Sequence, residues 1–121
     1  CFRKSQKKMA KVEILDSLEK EINKKFKDES VKIFSLMYSL EDNPKKGKLL
    51  AHVSNIAIKE LKYENYRFYF ITDNYRIRFM EINDLTDLLI KFVRMSDKKA
   101  QQKTIDEIKY VLRKIGEQGF D

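Results

Sequence analysis

The fold is decided by residues 56–95, which read IAIKELKYENYRFYFITDNYRIRFMEINDLTDLLIKFVRM. Runs rich in aromatic and β-branched residues follow one another there, separated by the short segments Glu64-Asn65, Thr72-Asp73-Asn74 and Asn83-Asp84. Such runs favour β-strands, and the separators contain residues that favour turns. The stretch therefore predicts an antiparallel meander.

Successive side chains of a strand point to opposite sides of the sheet. The second run places three aromatic rings on one side: Tyr66, Phe68 and Phe70. The residues between them, Arg67, Tyr69 and Ile71, fall on the other side. In the third run Arg76 and Arg78 alternate with Ile77 and Phe79. We expect the aromatic side to pack on the core, and we expect the side with arginine and tyrosine to carry the function.

The composition fits a small basic globular protein. The chain has 121 residues, of which 42% are hydrophobic and 37% charged, with a net charge of +7. This length predicts one domain that needs no disulfide. The charge favours a polyanionic partner, RNA or DNA ahead of an acidic protein or a membrane, although abundant lysine without a specific role is the alternative. No apolar run approaches the ~20 residues that span a bilayer, so no membrane contact is expected.

The N-terminal residues and the single cysteine allow two further predictions. Residues 1–8 (CFRKSQKK) are basic and lack any periodicity, so they are expected to be a disordered or appended extension before a single domain at residues 9–121. One cysteine, Cys1, cannot form an internal disulfide, and its isolation predicts a cytoplasmic location.

Helical patterns flank the meander. A strand at residues 9–15 is followed by a helix capped by Asp16 or Ser17 and by a second helix from about residue 31 to residue 40, which ends before Pro44. The pair predicts a helical hairpin. A last helix, capped by Ser96 or Asp97, carries an apolar stripe that includes the inward-facing Ile105, Ile108 and Ile115, and it stops at Gly116.

Candidate chemistry is restricted to arginine, lysine and tyrosine. His52 is the one histidine, so neither a metal site nor a two-histidine nuclease is expected, and no phosphate-binding loop pattern or cofactor site is present. Arginine offers a planar fork that matches phosphate, lysine can act as a base where cations crowd it, and tyrosine can stack on an unpaired base. These groups suit the cleavage of RNA by its own 2′-hydroxyl.

Three motifs in this order resemble the RelE/ParE superfamily of small toxins, in its RelE- and HigB-like, phage-derived branch. Residues 40–50 (LEDNPKKGKLL) are similar to the family pattern L-x-x-N-P-x-x-G-x-x-L after the helical hairpin. Residues 58–70 (IKELKYENYRFYF) resemble its L-x-x-x-x-Y-R-x-x-Y/F strand pair. Residues 89–99 (LIKFVRMSDKK) resemble the L-x-x-F-x-K-K-S-x-K stretch before the last helix of the HigB-like branch.

The resemblance implies an α+β domain of the RelE-like type: a twisted antiparallel sheet packed against an N-terminal helical hairpin, with a C-terminal helix. It also implies the toxin of a toxin–antitoxin pair, a metal-independent endoribonuclease that cleaves mRNA on the ribosome and is silenced by a cognate antitoxin. The alternative is a non-catalytic binding protein of the same fold, either a ParE-like gyrase inhibitor or an inactive RNA- or ribosome-binding relative.

The expected site residues combine the motifs with the strand alternation. The expected catalytic residues are Arg67, Arg76, Arg78 and Lys62. The expected RNA-binding residues are Lys59, Arg94, Lys98, Lys99, Tyr69 and Tyr75. Arg67 follows tyrosine as in the family's strand, and Arg76 is its rival in a second register. For each arginine the alternative is a solvated side chain or one paired with Glu60, Glu64 or Glu81. Glu60 also departs from RelE-type nucleases, which tend to be basic there.

Overall fold

The computed structural model describes residues 10–81 and 88–120. The prediction for residues 1–8 lies outside this range. Short 3-10 turns at Lys27–Glu29, Ser39–Glu41 and Glu117–Phe120 accompany nine principal elements. These are β1 (Ala10–Ile14), α1 (Asp16–Phe26), α2 (Ser30–Tyr38), β2 (Lys48–Val53), β3 (Ile56–Tyr63), β4 (Tyr66–Asp73), α3 (Asn74–Phe79), β5 (Leu88–Asp97) and α4 (Gln101–Lys114).

The strands form one five-stranded sheet in the order β1-β5-β4-β3-β2. Four neighbouring strands pair antiparallel, whereas β1 and β5 run parallel, with Val12 opposite Ile90. The α+β class is confirmed, but the prediction of a purely antiparallel sheet is wrong. The chain returns to the side of β1 after the long meander, which places the parallel pair at one edge.

Two hydrophobic clusters lie on the two sides of the sheet. The first joins α1 and α2 to Phe68, Phe70 and Phe92 of the central strands. The second joins Ile105, Ile108 and Leu112 of α4 to residues of β3, β4 and β5. The predicted alternation along β4 is therefore confirmed, because Phe68 and Phe70 fall in the first cluster while Tyr69 and Ile71 fall in the second. Helix α4 packs on the side that carries Tyr69 and Ile71.

The first part of the meander forms as predicted. Tyr63 pairs with Tyr66 across the Glu64-Asn65 turn, and Glu64 adopts a positive φ of 53°. The third run does not form a strand. Asp73 Oδ1 accepts a hydrogen bond from the Arg76 backbone N–H at 3.0 Å, and this cap starts α3. The following strand of the sheet is β5.

The helix boundaries differ from the prediction at three points. α1 begins at Asp16, but neither Asp16 nor Ser17 caps it with a side-chain hydrogen bond. Neither Ser96 nor Asp97 is the cap of α4, which begins after Ala100 without a side-chain cap; Asp97 Oδ1 instead accepts from the Ala100 backbone N–H at 2.9 Å in the turn before the helix. Ile115 was expected to face inward, yet it is 64% exposed beyond the end of α4. Gly116, with a φ of +96°, follows that end.

Candidate nucleic-acid interface

A lysine-lined groove lies between β2 and α4. We call it the first groove. Its volume is about 510 Å³, and it is lined by Lys48, Leu49, Leu50, Lys98, Lys99, Gln101, Gln102, Ile105 and Lys109. None of these described lining residues is acidic. The groove therefore concentrates positive charge over a partly apolar floor.

The turn before α4 determines where two of these lysines lie. Lys98 and Lys99 are exposed and precede α4, whose first turn contains no acidic residue. The N-terminal end of a helix carries a partial positive charge, which disfavours cations and favours anions. Two lysines at this end together with the helix dipole strengthen the attraction of the first groove for an anion.

A second groove shares Lys48 with the first. Its volume is about 370 Å³, and it is lined by Leu36, Lys46, Gly47, Lys48, Glu60, Leu61 and Lys62. Gly47 has a φ of +104°, and a Cβ there would lie 2.9 Å from Phe70 Cζ. The loop before β2 thus packs closely on the sheet, which fixes Lys46 and Lys48 at the rim.

Lys59 is hydrogen-bonded to the loop before β2. Its Nζ donates a hydrogen bond to the Lys45 carbonyl oxygen at 3.1 Å and lies 5.8 Å from the centroid of the Phe70 ring. Lys59 is only 4% exposed. Burial, and secondarily the charge of Lys45, lowers the pKa of Lys59. Its ammonium is directed to the loop, so the expected contact with RNA is not supported.

Arg67 is buried on the α4 side of β4. Its Nε lies 3.8 Å from Glu60 Oε1, and Gln101 Nε2 donates to the same oxygen at 3.0 Å. Lys62 lies directly opposite Arg67 on β3 and is exposed. Arg67 is therefore paired with Glu60, which was the alternative to a role at the phosphate, while Lys62 is exposed to solvent.

Tyr69 is fully buried and cannot stack on a base in this conformation. Its hydroxyl lies 2.7 Å from Ser96 Oγ, and Ser96 Oγ donates to the Asp97 carbonyl oxygen at 2.9 Å. Because the serine proton is used for Asp97, the tyrosine hydroxyl donates to Ser96. Burial raises the pKa of Tyr69 by disfavouring the phenolate. Its burial therefore does not support the expected RNA-binding role of Tyr69.

Arg94 is bound within the protein. Its Nε donates to Glu107 Oε1 at 3.2 Å, its NH1 donates to the Val93 carbonyl oxygen at 2.8 Å, and its guanidinium lies 5.1 Å from the centroid of the Phe120 ring. It does not line either groove. These contacts favour a structural role for Arg94 over the expected contact with RNA.

The remaining predicted residues lie at the other end of β4. Arg76, Arg78 and Tyr75 belong to α3, which follows Asp73. Asp73 lies six positions after Arg67 along β4, roughly 20 Å at the rise of a β-strand. The prediction that strand alternation brings Arg67, Arg76 and Arg78 together is therefore wrong. Tyr75 is 59% exposed and packs on Phe79, with the ring centroids 5.2 Å apart.

Three lysines that line the grooves were not among the site residues predicted from the sequence. Lys46 and Lys48 belong to a segment that reads as a solvated turn, and Lys109 lies on the polar side of the last helix. The available signal was the position of Lys48 at the start of a strand, but β2 was not recognised. Its pairing with β3 is interrupted between Leu49 and Ala51, which disturbs the alternation that marks a strand.

Other features of the chain place few constraints on its function. Within residues 10–81 and 88–120, no group of three or more His, Cys, Asp or Glu side chains is placed to hold a metal ion. None of the described helices is long and apolar enough to cross a membrane. No family model, curated protein or solved structure matches the chain.

Proposed function

We propose that this chain is the RNA-directed toxin of a toxin–antitoxin pair, a metal-independent endoribonuclease that cleaves translated mRNA in the cytoplasm. The observation that carries the proposal is the first groove, where four lysines surround a cavity of about 510 Å³ with no acid among its described lining residues. A cognate antitoxin and the ribosome are the partners that this function requires.

The charge and shape of the groove support RNA as the ligand. Lysine ammonium groups bind phosphates without reading sequence, and release of counterions drives such binding. A chain with a net charge of +7 attracts a polyanion over a distance before contact. The order of elements, a strand and two helices before a sheet that ends in a helix, is compatible with the RelE-like fold that the motifs resemble.

The exposed cations suggest how cleavage would proceed. The ribose 2′-hydroxyl loses its proton to solvent, and the 2′-oxygen attacks the adjacent phosphate to form a 2′,3′-cyclic phosphate, while the P–O5′ bond breaks and the leaving 5′-oxygen takes up a proton. Negative charge builds on the phosphate oxygens during this step, and positioned cations stabilise that charge. Lys98 and Lys99 in the first groove and Lys62 in the second are exposed groups that could lie against it. In this proposal they replace the arginine cluster that the sequence predicted.

A second function is favoured by the Arg67–Glu60 ion pair. An arginine that is buried beside a carboxylate cannot contact a phosphate without leaving its partner. If no other group supplies the chemistry, the same grooves would bind RNA or the ribosome and block translation without cutting. The two functions share the ligand and differ in whether new RNA ends form.

A translation extract programmed with a reporter mRNA separates these functions. We expect the purified protein to stop synthesis and to produce new mRNA 5′ ends within translated codons. Both effects should weaken in a Lys98→Gln/Lys99→Gln variant and persist in an Arg76→Gln/Arg78→Gln variant. Arrest with intact mRNA would select the non-catalytic function. Undisturbed synthesis with folded wild-type protein would contradict both.

A further inference from the structure

The two grooves meet at one acidic side chain. Lys48 lines both grooves, Glu60 lines the second, and Gln101 lines the first. The hydrogen bond from Gln101 Nε2 to Glu60 Oε1 therefore joins the walls of the two cavities. Among the described residues that line either groove, Glu60 is the sole acid. Its negative charge lies between the lysines of the first groove and those of the second.

Glu60 also neutralises the arginine beneath this junction. The side chains of Arg67 and Glu60 are 10% and 9% exposed, with 3.8 Å between Arg67 Nε and Glu60 Oε1. Water screens a pair at this depth much less than it screens a surface pair. Arg67 therefore contributes almost no net positive charge to the grooves while Glu60 is ionised.

We propose that Glu60 limits the affinity of the joined grooves for single-stranded RNA by holding Arg67 in an ion pair and by repelling phosphate at the junction. This inference rests on the proposed RNA-binding function. It adds that Glu60 sets the affinity for RNA. A surface built in this way binds RNA through its lysines at both ends and releases it more readily than an uninterrupted row of cations would.

The direct test is Glu60→Gln, which keeps the size of the side chain and leaves an amide oxygen to accept from Gln101. We expect a fluorescein-labelled single-stranded RNA of mixed sequence to bind roughly three- to tenfold more tightly in fluorescence anisotropy. The slope of log affinity against log salt should steepen by about one, as for one added phosphate contact.

Glu107→Gln is the matched control. It removes the same charge and also releases an arginine, Arg94, from its ion pair. Glu107 is two positions from Ile105 on α4 and so points away from the side that lines the first groove. We expect its RNA affinity to stay within about twofold of wild type, because distant exposed charges are screened by salt.

Two further variants test the inference if Glu60→Gln does not fold. Arg67→Gln leaves Glu60 without its partner and should weaken binding, whereas Glu60→Gln/Arg67→Gln removes both charges and should return affinity to about the wild-type value. Replacing both members of a buried pair is tolerated far better than removing one. Circular dichroism and thermal melting identify which variants are folded.

The outcomes separate this inference from the function on which it rests. Folded Glu60→Gln that binds RNA no more tightly than wild type, or a double variant no tighter than Arg67→Gln, would overturn the role of Glu60 while leaving RNA binding intact. Wild-type protein that fails to bind the labelled RNA would overturn the proposed function itself, and the inference with it.

Discussion

The two ends of β4 both carry cations, but they present them differently. The end at Tyr66, which we call the groove end, lies among exposed lysines that border two cavities, while its arginine, Arg67, is buried against Glu60. The end at Asp73, the helix end, leads into a six-residue helix with Arg76, Arg78 and two exposed aromatic rings. Both ends border a cavity, because Arg76 and Asp73 line one of about 270 Å³ at the helix end. The comparison indicates that a lining without an acid, as in the first groove, rather than concave shape or arginine content, defines a candidate phosphate site.

The largest expected effect tests this contrast directly. Lys98→Gln/Lys99→Gln should weaken binding of single-stranded RNA roughly 10- to 100-fold and reduce the salt slope by about two, since each lysine is expected to contact a phosphate. Arg76→Gln/Arg78→Gln at the helix end should change affinity by less than about threefold. Fluorescence anisotropy across a salt series measures both quantities. A larger loss at the helix end would reverse the assignment of the site.

The second prediction concerns the loop that shapes the groove end. Gly47→Ala should lower the free energy of unfolding by about 1–3 kcal/mol, because the backbone has a left-handed φ of +104° and the added Cβ would lie 2.9 Å from Phe70 Cζ and 3.0 Å from the Glu60 carbonyl oxygen. Urea denaturation measures the change.

The exposed neighbour Lys46 provides the control for that loop. Lys46→Ala alters the same segment without changing a constrained backbone position, and its stability should stay within about 0.5 kcal/mol of wild type. Equal stabilities for the two variants would show that the loop relaxes away from Phe70 at little cost, and the rim of the second groove would then be less fixed than the packing suggests.

A smaller effect compares one tyrosine from each region. Tyr69→Phe should cost about 1 kcal/mol, because it removes the buried hydroxyl that donates to Ser96, while Ser96 keeps its bond to the Asp97 carbonyl oxygen. Tyr75→Phe, at an exposed position of α3, should cost less than about 0.5 kcal/mol. Thermal melting of the two variants measures the difference. A Tyr75→Phe cost equal to that of Tyr69→Phe would contradict the assigned environments.

These contrasts explain which parts of the fold the sequence could predict. The β3–β4 hairpin follows from strong alternation around the Glu64-Asn65 turn, and α4 follows from a helical stripe. The run 75–80 alternates equally well but is only a few residues long, too short to reveal a helical period. Capping by Asp73 decides its conformation instead. The parallel pairing of β1 with β5 joins distant segments and leaves no local pattern.

The candidate site was less predictable than the fold, for a related reason. Assigning Arg76 and Arg78 to a strand placed them beside Arg67, so one wrong element produced a false cluster. Pairing with Glu60 was an open alternative for each arginine, but which arginine was paired depended on strand register and on α4, whose Gln101 holds the carboxylate. The first groove could not be predicted at all, because it needs β2 and α4 to lie side by side.

The smallest effect concerns Lys59, the groove-end lysine whose ammonium is directed inward. Burial lowers its pKa in the folded protein below the ordinary value of 10.5, so the buried charge opposes folding at neutral pH. This penalty is fully present below the folded-state pKa. It disappears as pH rises through that value toward 10.5, because the folded protein loses the proton before the unfolded chain does.

Comparison with Lys59→Met isolates this contribution from the other groups that titrate at high pH, including Tyr69. The free energy of unfolding of wild type, relative to that of Lys59→Met, should increase as pH rises from neutral toward 10.5. Urea denaturation of both proteins at matched pH values measures it. A relative stability that stays flat or falls would show that Lys59 is hydrated when charged. Lys59 would then resemble the exposed lysines of the grooves, and its hydrogen bond to the Lys45 carbonyl oxygen would not keep it from water.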